Sequence, residues 1–443
     1  MPRRSRGCKQ CRQRRIGCDG GLPSCRQCLN TKRACSGPLQ GALIINQTES
    51  VSSRASAPQQ HQYRPRHSSV VHQPSSQSMF AHVFIAEFVS FITARDGQVW
   101  QRSWLSELQH GTVIDEGPAL ELSMQATALA YCGAASKNPA AVRHACQIYG
   151  RALSKHARSI SQHPDSLRAA SLCTCIMLSF FEAMCSTSFT AYGAHLRAAQ
   201  SMLAMMPADP PGPSQSQVVW QLAKHIQCQT LFVMVVNPED YLSKTPDPKP
   251  WAQTMRLPKS DGGSEQLFDR LMEILRHLAD HLARRSCGIE QLTLDASLDQ
   301  EVDDLWDEFR DGASETGEPE MTSGNHYHDG LMAMTVAYFA AARVMLNVLG
   351  FGGHGARRSP HEACGRILAC ASSIEGKNIG CAYLRMFFTL TLVALYGTDD
   401  EQREAAAALL RRWLKDTAFY GMGSVAIRRI HVLDDGNAPF ITV

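Results

Sequence analysis

Cys8, Cys11 and Cys18 are spaced C-x2-C-x6-C, and Cys25, Cys28 and Cys35 repeat that spacing. Each member of the second set follows its counterpart by 17 residues. A structural zinc ion takes four ligands in a tetrahedron, and thiolate is a preferred one. Six cysteines are too many for one zinc and two short for two separate sites. Two zinc ions need eight bonds, so two thiolates must bridge. Bridging draws the two halves into one unit, and the short repeat predicts two similar substructures about a pseudo-two-fold axis. In so small a segment the metal replaces a hydrophobic core, and the segment is expected to unfold without it.

The charge around these cysteines is one-sided. Residues 1–36 carry ten basic side chains, namely Arg3, Arg4, Arg6, Lys9, Arg12, Arg14, Arg15, Arg26, Lys32 and Arg33, and their one acid is Asp19. The whole chain of 443 residues holds 44 basic and 41 acidic residues. The remaining 407 therefore carry 34 basic and 40 acidic side chains, so a basic head sits on a mildly acidic body. That asymmetry points to a nucleic-acid contact confined to one end. An arginine run alone reads as a solvated face or a nuclear import signal. Inside a cysteine frame it becomes a candidate DNA reader.

The stretch CKQCRQRRIGCDGGLPSCRQCLNTKRAC, Cys8 to Cys35, resembles the fungal-type binuclear zinc-cluster transcription factors. The resemblance implies two zinc ions, with Cys8 and Cys25 as the bridging ligands. Cys11 and Cys18 would complete one ion, and Cys28 and Cys35 the other. Pro23 falls at the family's loop proline. A short helix starting near Cys8 would carry Lys9, Arg12, Arg14 and Arg15 to the major groove, where Arg or Lys can donate to guanine O6 and N7. In the family the basic pair before the third cysteine meets a CGG-type triplet, and Arg14 and Arg15 occupy those positions. Arg15 is expected to contact a base, and Arg12 and Arg14 phosphate. The second half, with Leu29, Asn30 and Thr31, is expected to pack and touch backbone. Gly17 departs from the pattern, since the family usually has Lys or Arg directly before the third cysteine.

These elements need a scaffold, and the length with 44% apolar residues exceeds one ordinary domain. The arginine-rich opening is not a secretory signal, so the sixteen cysteines are expected as reduced thiols in a nuclear or cytosolic compartment. No apolar stretch reaches the roughly 20 residues needed to span a bilayer. Residues 37–78 are rich in Ser, Gln, His and Pro and read as a disordered tether. They show no heptads. The chain is therefore expected either to bind one triplet as a monomer or to pair through its large domain as a homodimer.

From Met79 onward the apolar period is helical. Val142, Cys146, Tyr149, Leu153 and Ile160 fit one face. So do Tyr192, His195, Ala199, Met202 and Met206, and likewise Leu267, Leu271, Leu275, Leu278 and Leu282. Roughly a dozen helices are expected in one all-α regulatory domain over 79–443, with 237–263 and 311–325 as exposed loops. The order YGRAL (149–153), FFEA (180–183) and AYGAHLRAAQSML (191–203) resembles the second class of fungal-specific transcription factor domains, although Tyr192 stands where that class more often has Trp.

The ten cysteines beyond the cluster read as buried small apolar residues. Cys173 and Cys175, at i and i+2, do not share a helical face. His361 and Cys364 could share one. His195 reads as a hydrogen-bonded core histidine, and Met202, Met205 and Met206 as packing. No G-x-S-x-G, H-E-x-x-H or P-loop is present, so no enzyme is expected. The expectation is a nuclear, sequence-specific regulator of RNA polymerase II transcription. Its partners would be double-stranded DNA, the transcription machinery or co-regulators and a small-molecule effector, with no membrane. A metabolic or secondary-metabolite pathway is the expected target. The competing readings are a zinc-storage protein and a metabolite binder with a vestigial DNA contact.

Overall fold

Two helices are apolar nearly all round, and such helices belong at the centre of a bundle. In the computed structural model they are Ala169–Cys185 and Gly380–Tyr396. The structure describes residues 8–14, 16–21, 23–37, parts of 83–105, and 117–162, 169–206, 213–244, 263–289, 297–313, 326–351, 359–377 and 380–434. The chain divides into two units between His72 and Gln73. The described residues are helical in both, with no strand among them. The expected tether lies, from residue 38 on, outside the described residues, as do 245–262 and 314–325.

The first unit holds two short helices, α1 (Lys9–Gln13) and α2 (Arg26–Asn30). In the second, α3 (Pro118–Ala135), α4 (Pro139–Gln162), α5 (Ala169–Cys185) and α6 (Ala191–Met205) are followed by α7 (Pro213–Val236), α8 (Pro238–Lys244) and α9 (Gly263–Ser286). Then come α10 (Ser297–Ala313), α11 (His326–Val348), α12 (Pro360–Ile374), α13 (Gly380–Tyr396), α14 (Asp400–Asp416) and α15 (Tyr420–Asp434). Helix α5 packs against α3, α4, α6, α7 and α15, and α13 against α7, α11, α12, α14 and α15, so α7 and α15 join two halves of one core.

Local signals set the helix ends. Pro360 opens α12, and Ser359 accepts from the Glu362 N–H. Asp399 caps α14 by accepting from the Gln402 N–H at 2.8 Å. The reverse turn between α3 and α4 uses Lys137 at φ 51°, and Asn138 Oδ1 accepts from the Ala140 and Ala141 N–H groups. Such caps satisfy donors that a helix start otherwise leaves open. Gly421 is required by close approach, because a Cβ there would lie 2.1 Å from the Glu182 carbonyl oxygen of α5.

The leucine stripe of α9 is buried as its period predicts, from Leu267 through Leu282. Helix α4 differs. Its buried stripe is Ala145, Ile148, Tyr149, Ala152 and His156, while Cys146 is exposed. At Gly133 of α3 the two helices approach closely, because a Cβ there would lie 3.0 Å from the Val142 side chain and 3.2 Å from Ala141 of α4. Residues 238–244 form α8 instead of an exposed loop: Pro238 opens the helix, Glu239 and Asp240 favour its first turn, and Tyr241 is buried. Met202 is buried and Met206 packs against the core, whereas Met205 is 62% exposed. His361 turns outward to Asp399, 3.0 Å away, whereas Cys364 is fully buried. They do not form a pair.

Candidate metal centre and nucleic-acid interface

The 17-residue repeat becomes a pseudo-two-fold axis in three dimensions. The Cys8 N–H donates to Cys18 Sγ at 3.4 Å, and the Cys25 N–H to Cys35 Sγ at 3.5 Å. The Ile16 N–H donates to the Cys11 carbonyl, and the Arg33 N–H to that of Cys28. Gly20 and Gly37, also counterparts, have φ of 70° and 69°. That left-handed conformation suits glycine. The helix starts are capped crosswise. Asp19 of the first half accepts from the Arg26 N–H at 3.1 Å, and its counterpart Ser36 accepts from the Lys9 N–H at 2.8 Å. Each half thus orders the other's helix.

The unit's interior is sulfur. Cys8, Cys11, Cys25 and Cys28 are its buried residues, with Ile16, Cys18 and Cys35 packed around them. The Sγ atoms of Cys8, Cys11, Cys18 and Cys25 lie within 4.8 Å of one another, and so do those of Cys8, Cys25, Cys28 and Cys35. Two sets of four share Cys8 and Cys25. The Cys8–Cys25, Cys8–Cys28 and Cys11–Cys25 separations are 3.7, 3.6 and 3.7 Å. A zinc tetrahedron with bonds of about 2.3 Å has edges of roughly 3.8 Å, so the cage has the size of a zinc site.

The electrostatics agree with a cation. Burial pushes the Cys11 thiol up to about 12, reinforced by its hydrogen bond with Cys8. Burial likewise raises Cys25 and Cys28. The outer thiols go the other way. The Cys25 and Gly37 N–H groups lower Cys35 to about 7, and those of Cys8 and Gly20 lower Cys18. A bound divalent ion deprotonates a coordinating thiol outright, which removes the cost that burial otherwise imposes on Cys11, Cys25 and Cys28.

Exposed basic side chains stand on both halves, with Arg26, Lys32 and Arg33 on the second. Lys9 and Arg14 are exposed. Arg14 Nη1 donates to Thr31 Oγ1 at 3.4 Å, a bond between pseudo-symmetry counterparts. Arg15 and the Arg12 side chain lie outside the described residues. Gly17 is exposed, and a Cβ there would meet nothing within 4 Å. The family's basic residue would fit at that position, so its absence is not steric. The crossed caps and the Arg14–Thr31 bond escape a reading of spacing alone, although placing Asp19 opposite Ser36 in the 17-residue register points to the first.

Taken together, a pseudo-symmetric cage of six thiols under a basic surface defines a two-zinc, DNA-binding module. Residues 6–40 match the model of the fungal Zn(2)-Cys(6) binuclear cluster domain, so the chain carries a fungal-type zinc-cluster domain, which supports a zinc-dependent, DNA-binding transcription regulator. No curated protein and no solved structure matches the chain. Among the described residues, no helix is long and apolar enough to cross a membrane.

The three motifs behind the second resemblance meet in the helical unit. The Tyr149 hydroxyl donates to Glu182 Oε1 at 2.5 Å and lies 2.8 Å from His195 Nε2. The Tyr149 ring stacks on Phe181 at 4.2 Å. Thr187 donates to Glu182 through its N–H and its hydroxyl. Glu182 is thereby buried with partners, as an interior carboxylate must be. Burial, with His156 nearby, lowers the His195 pKa to about 4. His195 is hydrogen-bonded as the sequence suggests, but it is half-buried at the edge of the core.

Proposed function

We propose that the chain is a nuclear, sequence-specific regulator of RNA polymerase II transcription whose zinc cluster reads CGG-like triplets. The observation that carries this reading is the cage of two four-thiol sets sharing Cys8 and Cys25. Those two thiolates bridge the ions. Cys11 and Cys18 complete one site, and Cys28 and Cys35 the other. Lys9, Arg12, Arg14 and Arg15 face DNA, with Arg15 on a base. The Arg14–Thr31 bond supports a phosphate-contacting role for Arg14, because it ties that guanidinium to the second half rather than leaving it free to follow a base edge.

Residues 1–36 are the DNA-binding domain, 37–78 the tether and 79–443 the regulatory domain of the second fungal class. The junction of Tyr149, Phe181, Glu182 and His195 supports that class, since the three quoted motifs form one structural unit. Co-regulators and a small-molecule effector act through this domain. A cavity of about 390 Å³ lined by Trp306, Phe339, Arg343 and Arg366 falls in the size range of ligand pockets. The regulated genes belong to a metabolic or secondary-metabolite pathway.

Selection of bound duplexes from a random library tests the reading. Zinc-loaded chain should enrich a CGG-like triplet, and chelated chain nothing. Arg15→Ala should cost about 1–3 kcal/mol and relax preference at one base, while Arg12→Ala weakens all sites alike and flattens the salt dependence. Absence of any enriched triplet would contradict the reading.

A further inference from the structure

We propose that His156, Cys175 and Met202 form a binding site for a soft monovalent metal ion, copper(I), in the core of the helical unit. The three side chains come from α4, α5 and α6. His156 Nε2 lies 3.3 Å from Cys175 Sγ, and Cys175 Sγ lies 3.8 Å from Met202 Sδ. All three residues are buried, at 7%, 1% and 5% exposure. One imidazole nitrogen and one thioether thus flank one thiol in a space closed to water.

The two separations from Cys175 Sγ fit ligands around one ion. With metal–nitrogen and metal–sulfur bonds of about 2.0 and 2.3 Å, they correspond to angles of roughly 100° and 110° at the metal. The donor set is soft. Thiolate and thioether ligands select copper(I), and imidazole is compatible with it.

Charge decides between a monovalent and a divalent ion. Copper(I) displaces the Cys175 thiol proton, which leaves to solvent, and a copper–sulfur bond forms. One positive charge replaces another, so the thiolate–copper pair is neutral. A zinc ion in the same place would leave a net positive charge in an apolar core, and that is costly. The neutral imidazole is already available, because burial lowers the His156 pKa. The neighbouring His195 is engaged by Tyr149 and stays outside the set. Loading would cross-link α4, α5 and α6, the segments that also build the Tyr149–Glu182–His195 junction. Entry requires a local opening of the core.

The test uses the full chain with zinc bound, titrated with copper(I) held in a chelator buffer under reducing conditions. Zinc release is followed with a chromogenic zinc indicator, because the six-cysteine cluster also attracts copper. The first equivalent of copper should bind with zinc retained, and X-ray absorption should report one nitrogen and two sulfur ligands. Cys175→Ser should abolish that equivalent. Met202→Leu, which conserves volume and therefore the fold, should weaken it by about tenfold or more, and it carries the test if Cys175→Ser fails to fold. Release of zinc by the first equivalent with all-sulfur coordination, or parental binding by Met202→Leu, would overturn the proposal.

Discussion

The two units of this chain are held together by opposite means. The N-terminal unit has four cysteines for a core, and its helices are five residues long. Helices that short are not stable in water by themselves. Ordering must come from metal bonds and from the caps that Asp19 and Ser36 exchange. The helical unit instead buries a continuous apolar core in which Phe181, Phe232, Phe387, Phe388 and Trp413 are almost fully enclosed. Its polar side chains are placed afterwards, as in the Glu182 junction. One unit is made by a few bonds of high individual energy, the other by many contacts of low individual energy.

That contrast can be broken in either direction. Removing zinc should have the largest effect. Structural zinc contributes about 10–16 kcal/mol in small zinc domains. A chelator should collapse the amide NMR signals of residues 8–37 to coil positions while far-UV circular dichroism, dominated by the helical unit, barely changes. A parallel loss of helical signal would show that the two units do not fold independently. The reverse experiment is Leu271→Ala in α9, where the side chain is fully buried. It should destabilise the helical unit by about 2–5 kcal/mol, seen as a lower denaturant midpoint, with zinc content and DNA affinity unchanged.

Acid sharpens the comparison with a smaller effect. Burial lowers the pKa of His195 to about 4 and of His225 to about 3, and lowers that of His156. These histidines are neutral in the fold, while in the unfolded chain they titrate near 6.5. As pH falls below about 6.5, the unfolded chain takes up protons that the folded one refuses. Stability then declines until the folded-state values are reached, near pH 4 to 3. Denaturation midpoints of the helical unit at pH 7.5, 6 and 5 should fall in that order. A flat profile would mean that these histidines are solvated.

How much was legible in the sequence follows from the same difference. Metal ligation is written in local spacing, so the six cysteines, the repeat and the ligand count could be read from residues 8–35, and the basic side chains stand beside them. The leucine stripe of α9 was legible because large apolar residues recur at helical spacing. The α4 face was not, because Ala145, Ala152 and His156 carry little hydropathy although all three are buried. Helix α8 was hidden by the prolines and acids around it, which mark a helix start as readily as a loop. The Glu182 junction joins residues 33 and 46 positions apart. Resemblance picked out its motifs, but no spacing rule says that they touch.

The central claim is that Cys8 and Cys25 each serve two ions, and native mass spectrometry of the full chain and its Cys8→Ser variant tests it most directly. The parent chain should carry two zinc ions. The variant should lose both together, because the shared thiolate belongs to each site. A variant that keeps one zinc ion firmly bound would show two independent sites and contradict the account.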